Sequence, residues 1–135
     1  MSFVLDSSVT LAWVYLDELT PATLRLSERV NQTGAWVPMV WRLEVANSLQ
    51  NSIRRRRIDA AFRDKALADL SVMKIATDME TDAYAWSTTL HLADRLQLTP
   101  YDACYLELAQ RRNLPLASLD KELRAAGRKL KIPLL

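Results

Sequence analysis

Short, largely apolar runs alternate with longer amphipathic stretches along the chain. The short runs are typical of buried strands and predict them over residues 3–5, 35–37, 74–76, 116–119 and 132–135. The longer stretches predict helices over residues 7–16, 21–32, 39–57, 60–73, 81–96, 100–112 and 121–129. Buried strands separated by helices favour an α/β fold in which helices cover both faces of a short, mostly parallel sheet.

The spacing of apolar residues predicts the buried face of two of these helices. In the helix over 39–57, this face consists of Leu43, Ala46, Leu49 and Ile53. The helix over 81–96 has a face formed by Trp86, Leu90 and Ala93. Periodicity places Glu44 on the side of its helix that lies away from the apolar face, so we expect an exposed side chain.

The composition is that of an ordinary globular protein and suits one domain over residues 1–135, with 50% hydrophobic and 25% charged residues. Only two glycines are present, which excludes glycine-rich phosphate-binding loops and the dinucleotide fingerprint. The single cysteine, Cys104, cannot form an internal disulfide, and no motif links it to His91. No signal peptide or membrane span is recognisable, so we expect a cytoplasmic protein.

Two acids stand where a predicted strand gives way to a helix. Asp6 follows the strand over 3–5, and Asp120 follows the strand over 116–119. Parallel sheets form binding sites beyond the carboxyl ends of their strands, which gives both acids a possible functional role. Asp also favours the position that caps a helix, and the spacing leaves the two interpretations open.

Asp102 is more informative than the two strand-end acids. Thr99 and Pro100 predict the start of a helix, and Asp102 shares a face of that helix with Tyr105 and Ala109. An acid at the head of an inward face is costly to desolvate unless a cation or strong donors meet it. This favours a functional role for Asp102.

Four segments, taken in their order and separation, resemble the PIN-domain ribonucleases, especially VapC-type toxins of toxin–antitoxin pairs. They are FVLDSS at 3–8, LEVANSL at 43–49, LTPYDA with YLELA at 98–109, and PLASLDKEL at 115–123. The resemblance covers essentially the whole chain and implies a PIN-like three-layer α/β/α fold. It also implies that Asp6, Glu44, Asp102 and Asp120 are the catalytic and metal-binding acids. Glu44 enters the set through the resemblance alone.

The implied site is anionic and built from oxygen ligands, which favours Mg²⁺ or Mn²⁺. The implied reaction is endonucleolytic hydrolysis of RNA phosphodiester bonds by metal-activated water. Ser7, Thr99 and Ser118 are candidate hydrogen-bond donors that orient the acids. The implied partners are an RNA substrate, a VapB-like antitoxin and a second copy of the chain in a homodimer.

Basic side chains slightly outnumber acidic ones, by 18 to 16, so neutralising four acids would leave a clearly basic surface that attracts RNA. Four consecutive arginines at 54–57 fit either a solvated helix end, which we favour, or a contact to the RNA backbone. Several aromatic side chains occur in the first half of the chain, and Trp41 is the candidate for an antitoxin-binding groove.

Two other functions remain open. A phosphotransfer enzyme could use Asp6 as its nucleophile, although such enzymes usually carry a second acid two residues later, where this chain has Ser8. A non-catalytic module could bind RNA or a protein partner on the same scaffold.

Overall fold

A single four-stranded sheet lies at the centre of the protein in the computed structural model, which describes residues 1–135. Its strands are β1 (Val4–Leu5), β2 (Ala35–Val37), β3 (Ile75–Thr77) and β4 (Leu116–Ala117), in the order β3-β2-β1-β4. All three neighbouring pairs are parallel. The predicted last strand is reduced to one bridge between Leu134 and Leu116.

Eight α-helices connect and cover the strands. They are α1 (Ser7–Val14), α2 (Pro21–Thr33), α3 (Trp41–Arg54), α4 (Ala60–Ser71), α5 (Thr81–Tyr84), α6 (Thr88–Leu96), α7 (Pro100–Arg112) and α8 (Lys121–Lys129). Helices α1 to α4 pack on one another, and α7 packs on α5, α6, β1 and β4. Crossovers between parallel strands are right-handed as a rule, so a strand order that changes direction at β1 puts these two groups on opposite faces of the sheet. The predicted three-layer α/β/α fold class is confirmed.

The strand order reverses between β1 and β4. The chain first moves outward from β1 to β2 and β3, and then returns to add β4 on the other side of β1. Val4 pairs with Leu116 and Leu5 with Ala117, so the two strands end side by side. In open α/β sheets the crevice at such a reversal, beyond the carboxyl ends of the strands, is where ligands bind.

Helix α3 buries a different face from the one that its spacing predicts. The buried side chains are Trp41, Val45 and Leu49, whereas Leu43 is 73% exposed. The ring nitrogen of Trp41 donates a hydrogen bond to the hydroxyl of Thr10 in the core, which joins this face of α3 to α1. Two apolar faces were available on α3, and packing against α1 selects the one that lies beside Glu44.

The predicted helix over 81–96 is two helices. The backbone at Ser87 has φ −119° and ψ −99°, which is not helical, and the helix restarts at Thr88. Trp86 falls in the break and is 92% exposed, and Leu90 is also exposed. The predicted buried face is therefore wrong at Trp86 and Leu90, because the register changes at the break. Ala93 is buried as predicted, and Thr89 and Leu92 lie beside it on the buried face of α6.

The arginine run does not lie in one helix. Helix α3 ends at Arg54, and Arg56 adopts a left-handed backbone with φ 60°. The guanidinium of Arg57 pairs with Asp17 at 3.2 Å and stacks over the ring of Tyr15 at 4.0 Å. These contacts explain Arg57 without an RNA ligand.

None of the helices combines the length and apolarity that a membrane crossing requires.

A buried ion-pair cluster attaches the end of β3 to α7. Asp78 directly follows β3, and its fully buried carboxylate accepts hydrogen bonds from Arg111, Arg112 and Thr81. Arg111 also donates to the buried carboxylate of Glu107 at 2.7 Å. Burial disfavours the charge on Asp78, but the hydrogen bonds from Arg111, Thr81 and Arg112 hold its pKa below the ordinary value.

Replacing Asp78 with Ala should therefore destabilise the fold by about 3–5 kcal/mol, since it leaves partly buried guanidinium groups without their shared partner. The lowered pKa means that Asp78 stabilises the fold above the unfolded pKa of about 4 and loses that effect as the pH falls further. Urea unfolding at pH 7 and pH 3 measures both effects. Asp64→Ala, which breaks an exposed pair with Arg63, is the control and should change stability by less than about 0.5 kcal/mol. Equal losses in the two variants would contradict this role for Asp78.

Candidate functional site

Asp6 lies at the carboxyl end of β1 with its side chain 5% exposed. It occupies the cap position of α1, but its carboxylate makes no capping hydrogen bond. Instead, Oδ2 accepts hydrogen bonds from the hydroxyls of Ser8 at 2.5 Å and Ser118 at 2.8 Å. The cap interpretation therefore does not account for the Asp6 side chain.

Asp120 caps a helix and also lies beside the acid that follows β1. Its Oδ1 accepts hydrogen bonds from the backbone N–H groups of Glu122 and Leu123 and so caps α8. Its own backbone N–H donates to the hydroxyl of Ser118 at 3.0 Å. Since Ser118 also donates to Asp6, a single buried hydroxyl links the acids that follow β1 and β4.

The other two acids lie on helices. Asp102 is in the first turn of α7, where its backbone N–H donates to the capping hydroxyl of Thr99, as the sequence predicts. Glu44 is in the first turn of α3 and is half-buried, which corrects the prediction of an exposed side chain. Its Oε1 accepts a hydrogen bond from the hydroxyl of Tyr105 at 2.5 Å. Tyr105 lies one turn after Asp102 on α7.

The four acids form one electrostatic cluster. Burial, followed by the charge of Asp120, raises the pKa of Asp6. Burial, with the charges of Asp6 and Asp102, raises the pKa of Glu44. The pKa of Asp102 is raised by burial and by the charges of Asp120 and Asp6. Hydrogen bonds from Ser7 oppose part of this rise in pKa. Its backbone lowers the pKa of Asp6, and its hydroxyl lowers the pKa of Glu44.

The donor set suits a hard cation. A carboxylate has about four acceptor sites, and the hydrogen bonds to Asp6, Glu44, Asp102 and Asp120 occupy only some of them, so each acid keeps a lone pair for a cation. Carboxylate oxygens are the ligands that Mg²⁺ and Mn²⁺ prefer. As the side chains stand, no three acid, His or Cys side chains converge closely enough to hold one ion. The carboxylates are therefore chemically suited to a cation, which would relieve the repulsion between their charges. They do not form a preformed coordination shell.

Three other side chains considered from the sequence lie outside the acid cluster or have no reactive role in it. His91 is exposed on α6. Cys104 is buried, and burial with the charges of Glu44 and Asp102 raises the pKa of its thiol, which disfavours a nucleophilic role. Trp41 is 7% exposed and packs in the core, and its remaining surface lines a cavity beside Val45 and Ile75, so its role in a partner groove stays a prediction.

Two residues that hold the acids were missed from the sequence. Ser8 lies two positions after Asp6, and Tyr105 shares the inward face of α7 with Asp102. The spacing of Tyr105 from Asp102 was visible in the sequence. Its partner was not, because Glu44 is 61 positions away in the chain.

The chain matches the PIN domain family over residues 3–129, which includes all four acids. Curated proteins give no significant sequence match. Among solved structures, PAE2754 from Pyrobaculum aerophilum superimposes with a TM-score of 0.68 at 22% identity, covering 93% of this chain and 84% of that one.

A second solved structure is VapBC2 from Rickettsia felis, bound to a DNA fragment from the VapBC2 promoter. It superimposes with a TM-score of 0.68 at 11% identity, covering 100% of this chain and 98% of that one. At these identities the two likenesses support the fold alone. The family match spans nearly the whole sequence, and the residues that carried the resemblance form the acid cluster at the reversal of the strand order. The chain belongs to the PIN-domain family.

Proposed function

We propose that this protein is an Mg²⁺- or Mn²⁺-dependent endoribonuclease, the VapC-type toxin of a type II toxin–antitoxin pair. PIN domains are typically metal-dependent nucleases. The observation that carries the proposal is the cluster of Asp6, Glu44, Asp102 and Asp120, in which burial and the charges of neighbouring acids raise the pKa of Asp6, Glu44 and Asp102. Mutual repulsion of this kind, in acids without basic partners, is a feature of sites that receive a cation.

In this proposal the carboxylates of Asp6, Glu44, Asp102 and Asp120 would hold the cation. Bound there, it would supply a water of lowered pKa and positive charge next to the phosphate. The Ser118 hydroxyl donates to the carboxylate of Asp6 and accepts from the backbone N–H of Asp120, so it links the two residues. Hydrogen bonds to a metal-binding carboxylate help to orient it.

The phosphotransfer alternative is less well supported. Enzymes with an aspartyl nucleophile usually place a second acid where this chain has Ser8. Here Ser8 donates to Oδ2 of Asp6 and accepts from the backbone N–H of Leu119, so it helps to hold the acid in place.

Cation binding should stabilise the chelator-stripped protein more at pH 7.5 than at pH 4.5. Because the folded-state pKa values of Asp6, Glu44 and Asp102 are raised, their charges cost stability as the pH rises from about 4 through those values. A cation removes this cost, and at about a hundred times its dissociation constant it adds about 2.7 kcal/mol. Thermal unfolding with and without Mn²⁺ at both pH values measures the difference. NaCl of equal ionic strength is the control, and equal stabilisation by the two salts would contradict the metal site.

Asp6→Asn should reduce RNA cleavage at least about a hundredfold and leave the fold intact, since the amide keeps the shape of the side chain but loses the charge. The assay follows end-labelled single-stranded RNA in Mg²⁺, in Mn²⁺ and in chelator. Asp64→Asn, on the exposed surface of α4, should cleave like the wild type. Full activity of folded Asp6→Asn with Mg²⁺ would reject the assignment. An inactive wild type that still binds the RNA would instead indicate a non-catalytic module.

An apolar groove of about 640 Å³ supports the antitoxin part of the proposal. It lies between α2 and α4, and its apolar lining includes Trp13, Leu16, Leu19, Leu24, Phe62 and Leu70. Leu16, Leu24 and Phe62 are exposed. An amphipathic helix of a partner buries its apolar face in a groove of this kind.

Phe62→Asp should abolish copurification with an antitoxin, because it places a charge in the apolar groove. The experiment coexpresses each variant with the short DNA-binding protein expected from a gene adjacent to this one and measures complex formation by size-exclusion chromatography. Trp86→Asp changes an exposed aromatic residue between α5 and α6, outside the groove, and is the control. Retention of the complex by Phe62→Asp would exclude the groove as the docking site.

A further inference from the structure

The two helix-borne acids of the site are connected through one phenol. Glu44 lies on α3 and Asp102 on α7. Tyr105, one turn after Asp102, donates its hydroxyl to Oε1 of Glu44 at 2.5 Å. The hydrogen bond therefore ties the first turn of α3 to the first half of α7 at the acid cluster.

Glu44 has less local support than the strand-end acids. Asp6 receives hydrogen bonds from two serine hydroxyls, and Asp120 caps α8. Glu44 carries a longer side chain, which has more rotamers to restrict, and its contacts come from Tyr105 on α7 and the hydroxyl of Ser7 on α1. It therefore depends on a contact from another element to fix its direction.

Tyr105 is well suited to supply this contact. Its side chain is fully buried in the core, so its ring cannot move without disturbing its neighbours. A phenol is protonated at neutral pH, so the Tyr105 hydroxyl is available as a donor to Glu44. A hydrogen bond from a neutral donor to a carboxylate is among the stronger ones in proteins.

We propose that Tyr105 is a positioning residue, whose phenol holds Glu44 beside Asp102 so that both carboxylates can reach the same cation. This inference rests on the proposed metal-dependent function. It adds that the Glu44 carboxylate is placed by α7, the helix that also presents Asp102.

The test compares Tyr105→Phe with Tyr15→Phe, each of which removes one hydroxyl from a buried ring. Tyr15 shares a 2.6 Å hydrogen bond with Ser52 and does not contact the acids, so it is a matched control. Mn²⁺ titration of chelator-stripped protein, followed by thermal unfolding, gives an apparent dissociation constant for each variant. Tyr105→Phe should weaken Mn²⁺ binding about tenfold, the loss expected for a charge-assisted hydrogen bond, and Tyr15→Phe should not.

A Glu44→Gln background shows whether Tyr105 acts through Glu44. There, adding Tyr105→Phe should weaken Mn²⁺ binding no further, because the carboxylate that it positions is already gone. A folded Tyr105→Phe protein with wild-type Mn²⁺ affinity, or equal weakening by Tyr15→Phe, would overturn the inference and leave the metal site standing. Absence of Mn²⁺ binding by the wild type would overturn the metal site and this inference together.

A second measurement does not require the Tyr105→Phe protein to fold. The chain has four tyrosines, so ¹³C labelling at the phenolic carbon gives four resonances in the wild type. Addition of diamagnetic Mg²⁺ should shift the Tyr105 resonance, and Glu44→Gln should abolish that shift. If Mg²⁺ stabilises the protein but leaves the chemical shift of the Tyr105 resonance unchanged, the inference is overturned.

Discussion

The parallel pairing of β1 with β4 is the constraint on which the site depends. It places the ends of the two strands side by side, so that Asp6 lies next to the hydroxyl of Ser118. The strand order reverses at this pair, and a crevice opens there between elements that leave for different faces of the sheet. Helices α3 and α7 then add Glu44 and Asp102 to the same edge. The sheet topology therefore determines where the acids can meet.

Asp78 and Asp6 are both buried, but their surroundings shift their pKa values in opposite directions. Asp78 is met by two guanidinium groups, and its pKa falls below the ordinary value. Asp6 is met by hydroxyls and by another acid, and its pKa rises. The first arrangement neutralises a buried charge and joins β3 to α7, so it serves the fold. The surroundings of Asp6 compensate its negative charge only in part, and such uncompensated acids are found at functional sites, where a cation can supply the missing charge.

The orientation of α3 connects the core to the site. Its apolar residues permit two buried faces, and Leu49 belongs to both. The hydrogen bond between Trp41 and Thr10 selects the face that turns Glu44 toward Tyr105. A core contact thereby decides whether a glutamate that looks exposed in the sequence reaches the acid cluster. The same packing leaves Trp41 only 7% exposed, whereas the apolar groove between α2 and α4 has exposed side chains such as Leu16 and Phe62.

The sequence by itself determined the fold class, most helix and strand positions, the strand-end placement of Asp6 and Asp120, and the capped start of α7 at Thr99. These features depend on local periodicity and capping, which neighbouring residues encode. Only the tertiary structure decided which strands are adjacent, which face α3 buries, where the chain breaks between α5 and α6, and that Ser8 and Tyr105 hold Asp6 and Glu44. Most of these depend on contacts between residues far apart in sequence, and the spacing along one segment carries no information about its distant partner. The four acids could thus be named from the sequence, whereas the hydroxyls that hold them became visible only when the strands and helices were assembled.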